Sequence, residues 1–169
     1  MPSKINVAVI FGGKSSEHDV SLVSAYNVIK NIPTDKYEVT CIGITKKGNW
    51  LYYPGSYESI PTGAWESNPD CTHAFISVNP VYRGLITLDN GNYYHRKIDV
   101  IFPVLHGKNG EDGTIQGMFE LAQIPYVGCG VLASASCMDK AFTHMILEAN
   151  GIKTAKFDTV LYNDILNLD

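Results

Sequence analysis

The sequence predicts an α/β fold with a mostly parallel, doubly wound sheet, a β-rich insertion and the start of a second domain. Two observations predict it. Buried-type strands at 5–11, 37–45 and 98–105 alternate with amphipathic helices, and each strand ends in glycine or polar residues. Strands that alternate with helices form parallel sheets with short loops at the strand ends. We expect an α/β domain over residues 1–128 and the beginning of a second domain over 129–169.

The elements of the first half follow from its periodicity. Apolar residues spaced along one side of a helix predict a helix over 16–32, with Ser16 and Asp19 as a capping box. Residues 46–97 have no helical period and are rich in Tyr, Gly, Pro and Asn, so we expect a β-rich insertion at the edge of the sheet. Within it, Asn90-Gly91 tolerates the positive φ angles of a type I′ turn and predicts a hairpin.

The second half is predicted to hold two helices and two short strands. An amphipathic segment predicts a helix at 114–121, and a longer period predicts a single helix over 133–150, capped by Gly151. Met138, Phe142 and Met145 form the apolar stripe of the long helix, which we expect to be core. The two short strands are predicted at Ile124 to Val127 and at Ile152 to Tyr162. No element follows to cover the last strand, so we expect the sequence to be an N-terminal fragment.

Composition and charge narrow the functional classes. The 169 residues are 45% hydrophobic and 18% charged, which is typical of a folded globular domain. Thirteen basic and seventeen acidic residues give a net charge of −4 without a basic run, so neither nucleic acid nor a membrane surface is an expected partner. There is no signal-peptide pattern, and we expect a cytoplasmic protein with four buried, reduced cysteines, Cys41, Cys71, Cys129 and Cys137.

Two polar loops that follow predicted strands are the candidate binding site. Residues 12–19 follow the first strand, and residues 106–113 follow the strand that begins at Ile98. Ligands of open α/β sheets bind beyond the carboxyl ends of the strands. If the two strands are neighbours, Glu17 and His106 lie together. A carboxylate and an imidazole suit a zwitterionic amino acid, which needs an anion for its ammonium and donors for its carboxylate.

Each candidate residue also has a plain structural explanation at this point. Glu17 can simply complement the dipole of the following helix, and His106 can be a hydrogen-bonded end of its strand. Lys140, inside the predicted long helix, can be a solvated surface residue. The first loop lacks the spacing of nucleotide-binding glycine motifs. Glu111 and Asp112 are adjacent and point in different directions, so no metal-binding residue is predicted.

Three blocks, in order, resemble the N-terminal part of the D-alanine:D-alanine ligases of the ATP-grasp superfamily. They are residues 9–25, residues 106–117 and the pair of segments 127–129 and 134–140, within a likeness that extends over residues 4–156. The second block, HGKNGEDGTIQG, matches the N-terminal signature of that family in full. The tyrosine-rich insertion and the CMDK segment also resemble the longer ligases, including vancomycin-resistance variants that use D-serine or D-lactate.

The resemblance implies a pre-ATP-grasp, Rossmann-like domain of an ATP- and Mg²⁺-dependent enzyme of peptidoglycan synthesis, and thus of cell wall biogenesis and cell shape. In such ligases ATP phosphorylates the carboxylate of a first D-alanine, and the amine of a second attacks the acyl phosphate. Carried over by position, Glu17 binds the ammonium of the first D-alanine and takes part in catalysis, Val20 packs on its methyl group and His106 approaches its carboxylate. Lys140 reaches ATP. The family also implies a homodimer through the N-terminal domain.

Most of the family's ATP and Mg²⁺ site corresponds to segments after Asp169, so we expect the fragment alone to be inactive. Two rival functions stay open. One is a stand-alone, non-catalytic binding or dimerisation module, for which the amphipathic segment 114–121 would offer a self-complementary surface. The other is an oxidoreductase on a dinucleotide-binding fold, which the missing glycine fingerprint weakens. The choice among D-alanine, D-serine and D-lactate as second substrate depends on later segments.

Overall fold

The computed structural model describes residues 3–160 and residue 164. These residues form one seven-stranded sheet and four α-helices. The strands are β1 Ile5–Gly12, β2 Tyr37–Ile44, β3 Trp50–Tyr53, β4 Thr72–Ile76, β5 Gly84–Asp89, β6 Asn92–Lys97 and β7 Val100–Leu105. The helices are α1 His18–Asn31, α2 Thr114–Ala122, α3 Val131–Met138 and α4 Lys140–Ala149, with short 3-10 helices at Tyr57–Ser59 and Ala64–Ser67.

The sheet is parallel at one end and antiparallel at the other. Its strand order is β6-β5-β4-β3-β2-β1-β7, and β1 runs parallel to both of its neighbours. From β2 to β6 each successive pair is antiparallel. The α/β class and the β-rich insertion are confirmed. The predicted parallel arrangement holds for the strands outside residues 46–97, which are β1, β2 and β7. The strands of the insertion extend the same sheet in antiparallel pairing.

Apolar side chains cover β1 on both faces of the sheet, as its unbroken apolar run predicts. Ala8 and Ile10 pack on the side of α2, whereas Val7, Val9 and Phe11 pack on the side of α1. Burying each large side chain of this kind contributes about 1.5–3 kcal/mol to folding. The core therefore fixes β1 in the middle of the parallel strands, with its carboxyl end at the rim.

α2 uses its apolar side inside this core. Ile115, Phe119 and Ala122 are buried against the sheet, and Leu121 is the large apolar residue that α2 leaves exposed. The predicted helix at 114–121 is confirmed, but the expectation that it offers a self-complementary surface is wrong, because the sheet already covers that surface.

Local signals explain the hairpin and the start of α1. Asn90 and Gly91 join β5 to β6 with φ angles of 48° and 80°, as the sequence predicts. α1 begins at His18 instead of Ser16, and no side chain caps it, so the predicted capping box does not form. The hydroxyl of Ser15 accepts a hydrogen bond from the Glu17 amide at 3.1 Å, which ends the preceding turn before the helix begins.

The single helix predicted over 133–150 is instead two helices. α3 ends at Met138, and Asp139 has extended backbone angles (φ −88°, ψ 109°). Its carboxylate accepts a hydrogen bond from the Phe142 amide at 2.9 Å and so caps α4. Gly151 follows α4 with a φ of 72°, which agrees with the predicted cap.

Two predicted short strands do not form as expected. The segment 124–127 makes a single parallel bridge, between Tyr126 and Ile101 of β7. Residues 152–160 contain no strand, and 161–162 lie outside the described residues. An extended segment forms a β-ladder only beside a strand whose backbone groups face it.

The apolar stripe of the predicted long helix is not core. Met138, Phe142 and Met145 are 39%, 48% and 52% exposed, because no described element packs against that side of α3 and α4. None of the described helices combines the length and the apolar composition needed to cross a bilayer.

The four cysteines are free thiols, but only part of the prediction for them is right. Cys41 is buried, and burial raises the pKa of its thiol to about 12. Cys71 is half-buried, whereas Cys129 and Cys137 are exposed, so the expectation of buried thiols is wrong for these two.

Candidate functional site

Two loops that leave neighbouring parallel strands form the candidate site. Gly12 at the end of β1 pairs with Leu105 at the end of β7, so residues 12–17 and 106–113 emerge side by side. A Cβ added at Gly107 would lie 2.6 Å from Glu17 Oε2 and 3.0 Å from Ser15 Oγ. The two loops therefore touch, as the sequence predicts. Gly107 also has a φ of 73°, which together with this contact makes glycine the residue that fits.

The Glu17 carboxylate makes no hydrogen bond or ion pair with the described residues. It immediately precedes α1, but its side chain makes no capping hydrogen bond. In the described part of the chain, its carboxylate has no hydrogen-bond or ion-pair partner, and the residue is exposed. Hydrogen-bonded capping is thereby excluded as the explanation of Glu17. An exposed, unpaired carboxylate at the contact of two loops is free to bind a cationic group.

His106 attaches the second loop to the helix that follows Glu17. Its Nε2 lies 3.2 Å from the Ser24 hydroxyl, and the residue is half-buried. Glu17, Val20 and Ser24 succeed one another at spacings of three and four residues, so they lie along one side of the α1 turn. Val20 is 55% exposed. The three residues predicted to bind the amino acid therefore lie where the start of α1 meets the second loop, Glu17 against Gly107 and His106 against Ser24.

Lys140 is not part of this cluster. It is the first residue of α4, it is exposed, and within the described residues it has no hydrogen bond or ion pair with either loop. Its predicted mid-helix position is wrong, because Asp139 breaks the helix immediately before it. An exposed ammonium at the start of a helix suits a phosphate chemically, but the described residues do not link it to Glu17 or His106.

A cleft of about 320 Å³ lies between the two loops and the turn after β2. Trp50 and Met118 supply apolar walls, and Lys14 and Lys108 line it from the first and second loop. Neither lysine pairs with a carboxylate in the described part of the chain. The charged side chains lining the cleft are therefore cationic, which favours an anionic group such as a carboxylate.

The acidic residues of the second loop fold that loop and do not form a metal site. Glu111 accepts a hydrogen bond from the Gly107 amide at 2.6 Å. Asp112 accepts from the amides of Asn109 at 2.8 Å and Thr114 at 3.0 Å. Burial is the largest single influence on Asp112 and opposes ionisation, but these hydrogen bonds together hold its pKa below the usual range. No group of three potential metal-binding side chains occurs among the residues described.

Sequence reasoning missed two residues that hold the first loop in place. The Ser21 hydroxyl accepts from the Gly12 amide at 2.8 Å and donates to the Val104 carbonyl, so it joins β1, α1 and β7. His18 is buried and contacts the Gly13 carbonyl. Both lie on the buried stripe of α1 with Leu22 and Ala25. Polar residues on an otherwise apolar helical stripe were the signal that would have found them.

The arrangement defines a class of protein: an α/β domain whose parallel strands present a carboxylate, an imidazole and two lysines at one rim, for a small zwitterionic or anionic ligand. Comparison with known proteins is more specific. The family model described as D-ala D-ala ligase N-terminus matches residues 6–129. The chain belongs to this family.

Several similar relatives are longer than this chain. The chain is 49% identical over 166 residues to a D-alanine–D-alanine ligase of Thermoanaerobacter sp. (strain X514), covering 98% of this chain and 46% of the relative. It is 45% identical to the vancomycin B-type resistance protein VanB of Enterococcus faecalis, covering 96% of this chain and 45% of that protein. The chain thus spans about half the length of the curated relatives it matches.

A solved structure agrees with the fold. The crystal structure of the VanG D-Ala:D-Ser ligase from Enterococcus faecalis superposes with a TM-score of 0.85 at 45% identity, covering 91% of this chain and 44% of that one. The seven-stranded mixed sheet and the paired rim loops are therefore the fold of a ligase N-terminal domain.

Proposed function

We propose that this chain is the part of an ATP-dependent D-alanine:D-alanine ligase that binds the first amino acid. The proposed reaction forms the D-alanyl dipeptide used in peptidoglycan precursors, in the cytoplasm. One observation carries the proposal: the unpaired Glu17 carboxylate lies against Gly107, at the contact of the two loops that leave β1 and β7. The family membership supports the same reading.

Each proposed role follows from the chemistry of an amino acid. The ammonium of the first D-alanine lies beside Glu17, where a charge-assisted hydrogen bond stabilises it. Val20, exposed one turn along α1, packs on the methyl group. His106, anchored to Ser24, approaches the carboxylate, and Lys14 and Lys108 add positive charge on that side. Holding the carboxylate in one orientation is the contribution that a transfer between two bound reactants needs from this half of the site.

ATP supplies the phosphoryl group that activates the first D-alanine carboxylate. Lys140 is the residue of this chain that we assign to ATP, because its exposed ammonium has no ion-pair partner among the described residues. The described residues offer no cluster suited to Mg²⁺, so they do not fit that ion and we assign no Mg²⁺ ligand to them.

Two further features of the relatives belong to the proposal. The similarity to VanG, named as a D-Ala:D-Ser ligase, favours D-serine as an alternative second substrate. A putative D-alanine–D-lactate ligase of Streptomyces coelicolor, 42% identical over 165 residues, favours D-lactate in the same way. We also propose a homodimer through the N-terminal domain, without the apolar side of α2, which the sheet covers.

The experiment is an ADP-release assay on the ligase that carries this chain. We expect release with ATP, Mg²⁺ and D-alanine, and its rate with added D-serine or D-lactate identifies the second substrate. The 169-residue chain, assayed in parallel, should release no ADP. Release that does not depend on D-alanine would contradict the proposal. Tight binding of a ligand or a second copy without any turnover by the longer protein would favour the stand-alone module.

A further inference from the structure

The β-rich insertion contacts the Glu17 loop through the residue that follows Glu17. His18 is 2% exposed, and its Nδ1 lies 2.9 Å from the carbonyl oxygen of Gly13. Because a carbonyl oxygen only accepts, Nδ1 carries the hydrogen of this bond. The other ring nitrogen, Nε2, lies 3.8 Å from Glu66 Oε1. Glu66 belongs to the 3-10 helix Ala64–Ser67, inside the insertion. The contact with Glu66 is attractive when both ring nitrogens carry hydrogens, and His18 then joins the first loop to a segment nearly fifty residues away.

His18 contacts a turn that has little freedom. Gly12 and Gly13 have φ angles of 86° and 101°. A Cβ added at Gly12 would lie 2.2 Å from the Ile44 carbonyl oxygen and 3.0 Å from His18 Cε1. The Gly13 amide donates to the same carbonyl at 2.8 Å. β2 holds one side of the turn and the His18 ring the other, so the path of the chain toward Glu17 depends on both.

The Glu66 partner is itself held in place. Its neighbour Trp65 is fully buried, and the indole packs edge-on against Phe11 with ring centroids 5.1 Å apart. A Cβ at Gly43 would lie 2.3 Å from the Trp65 ring, so the indole rests directly on the β2 backbone. This packing fixes the segment over the ends of β1 and β2. Glu66, at 39% side-chain exposure, faces the buried imidazole from the solvent side.

A second contact, which is exposed, also joins the start of α1 to the insertion. Lys46, at the start of the insertion, pairs with Asp19 at 2.9 Å, and this bond holds the pKa of Asp19 below its usual range. The two residues that follow Glu17 thus both contact the insertion. Because Asp19 and Lys46 are exposed, their pair contributes little to stability, and His18 is the buried member of the two contacts.

We propose that His18 is a positioning residue, and that Glu66 acts through it, so that the insertion sets the affinity for the first amino acid. This inference rests on the proposed function of Glu17. His18 is buried behind the glycine turn and does not line the cleft, so it acts through Gly13 and the start of α1. The insertion therefore acts on the substrate site through His18, in addition to supplying Trp50 to the wall of the cleft.

The test compares His18→Leu, His18→Asn and Glu66→Gln in the ligase that carries this chain. Glu58→Gln is the matched control, because Glu58 is an exposed glutamate of the neighbouring 3-10 helix whose carboxylate bonds to Ser56. His18→Leu should raise the KM for the first D-alanine about tenfold, since one buried hydrogen bond is lost. The KM for the second substrate and kcat at saturation should stay unchanged.

The conservative variant separates positioning from packing. The amide nitrogen of asparagine can occupy the place of Nδ1 and donate to Gly13, so His18→Asn should return the first KM to within about threefold of the native value. Glu66→Gln should raise it about threefold with an unchanged melting temperature, and Glu58→Gln should leave it unchanged. Losses that appear only in kcat or in the melting temperature, or an asparagine variant no better than leucine, would overturn the proposal.

A measurement on the 169-residue chain keeps this inference distinct from the proposed function. We expect ¹⁵N NMR to show that His18 Nδ1 carries a proton, and Glu66→Gln to shift the amide signals of Gly13 and Glu17. An unprotonated Nδ1, or unmoved amides, would refute the positioning role even if the ligase is active. If the longer protein shows no D-alanine-dependent activity while these signals behave as expected, the proposed function fails and the link between insertion and loop stands.

Discussion

The sheet region and the α3–α4 helix pair use their apolar residues in opposite ways. Phe11, Trp65 and Phe119 of the sheet region are fully buried. In the helix pair, Leu132 is 80% exposed and Phe142 is 48% exposed. The sheet region completes its core with its own residues, whereas the helix pair displays an apolar side that no described element covers.

This difference locates the two halves of the proposed chemistry. Glu17, Val20 and His106 belong to the sheet region, and their loops are braced by bonds within it. Lys140 belongs to the helix pair. The family model also ends at residue 129, close to where burial stops. The division into 1–128 and 129–169 stays a prediction, which the contrast in burial supports.

The largest expected effect separates the two regions by stability. Phe119→Ala should lower the free energy of unfolding of the chain by about 3–5 kcal/mol, because it opens a cavity in the core of the sheet region. Phe142→Ala, the matched change on the exposed side of α4, should alter it by no more than about 0.5 kcal/mol. Urea denaturation measures both. Comparable losses for the two phenylalanines would show that the helix pair is part of the same core.

The next effect separates the two regions by ligand. Lys140→Ala should raise the KM of the ligase for ATP roughly tenfold or more, since a charge-assisted hydrogen bond to phosphate is lost. The KM for the first D-alanine should not change. Lys153→Ala, another exposed lysine of the C-terminal part, is the control. If Lys140→Ala changes only stability, Lys140 is a solvated surface residue.

The smallest effect concerns the brace of the second loop. The folded pKa of Asp112 is lowered, so its contribution to stability is present above the ordinary aspartate pKa and is lost as the pH falls through the folded pKa. Asp112→Asn should therefore cost about 1 kcal/mol at neutral pH and progressively less in acid. Thermal unfolding between neutral and acidic pH measures this, with the exposed Asp70→Asn as control. A cost that does not shrink in acid would rule out the ionised brace.

Local chemistry made part of this molecule predictable. Asn90-Gly91 fixes its turn by backbone preference alone, and the apolar run of β1 identifies a strand buried on both faces. The loop contact followed from the rule that parallel strands end at one rim, so the loops of Glu17 and His106 could be predicted to lie together, and Glu17 is found against Gly107, the residue after His106.

Other features depend on contacts that a single sequence does not display. Asp139 ends one helix and its side chain caps the next. The apolar periodicity continues across this break and therefore does not reveal it. The exposure of Met145 depends on whether another element covers it, which the apolar pattern of α4 does not specify. The link from His18 to Glu66 joins distant segments and needed the docking of Trp65 to become visible.

The most direct test of this account is the KM for the first D-alanine in Glu17→Gln, measured in the ligase alongside the unfolding free energy of the 169-residue chain. Glutamine keeps the size of the side chain and removes the charge that holds the ammonium. We expect the KM to rise about 10- to 150-fold, equivalent to about 1.5–3 kcal/mol, with unchanged stability. An unchanged KM with a destabilised chain would show that Glu17 serves the helix and not the substrate.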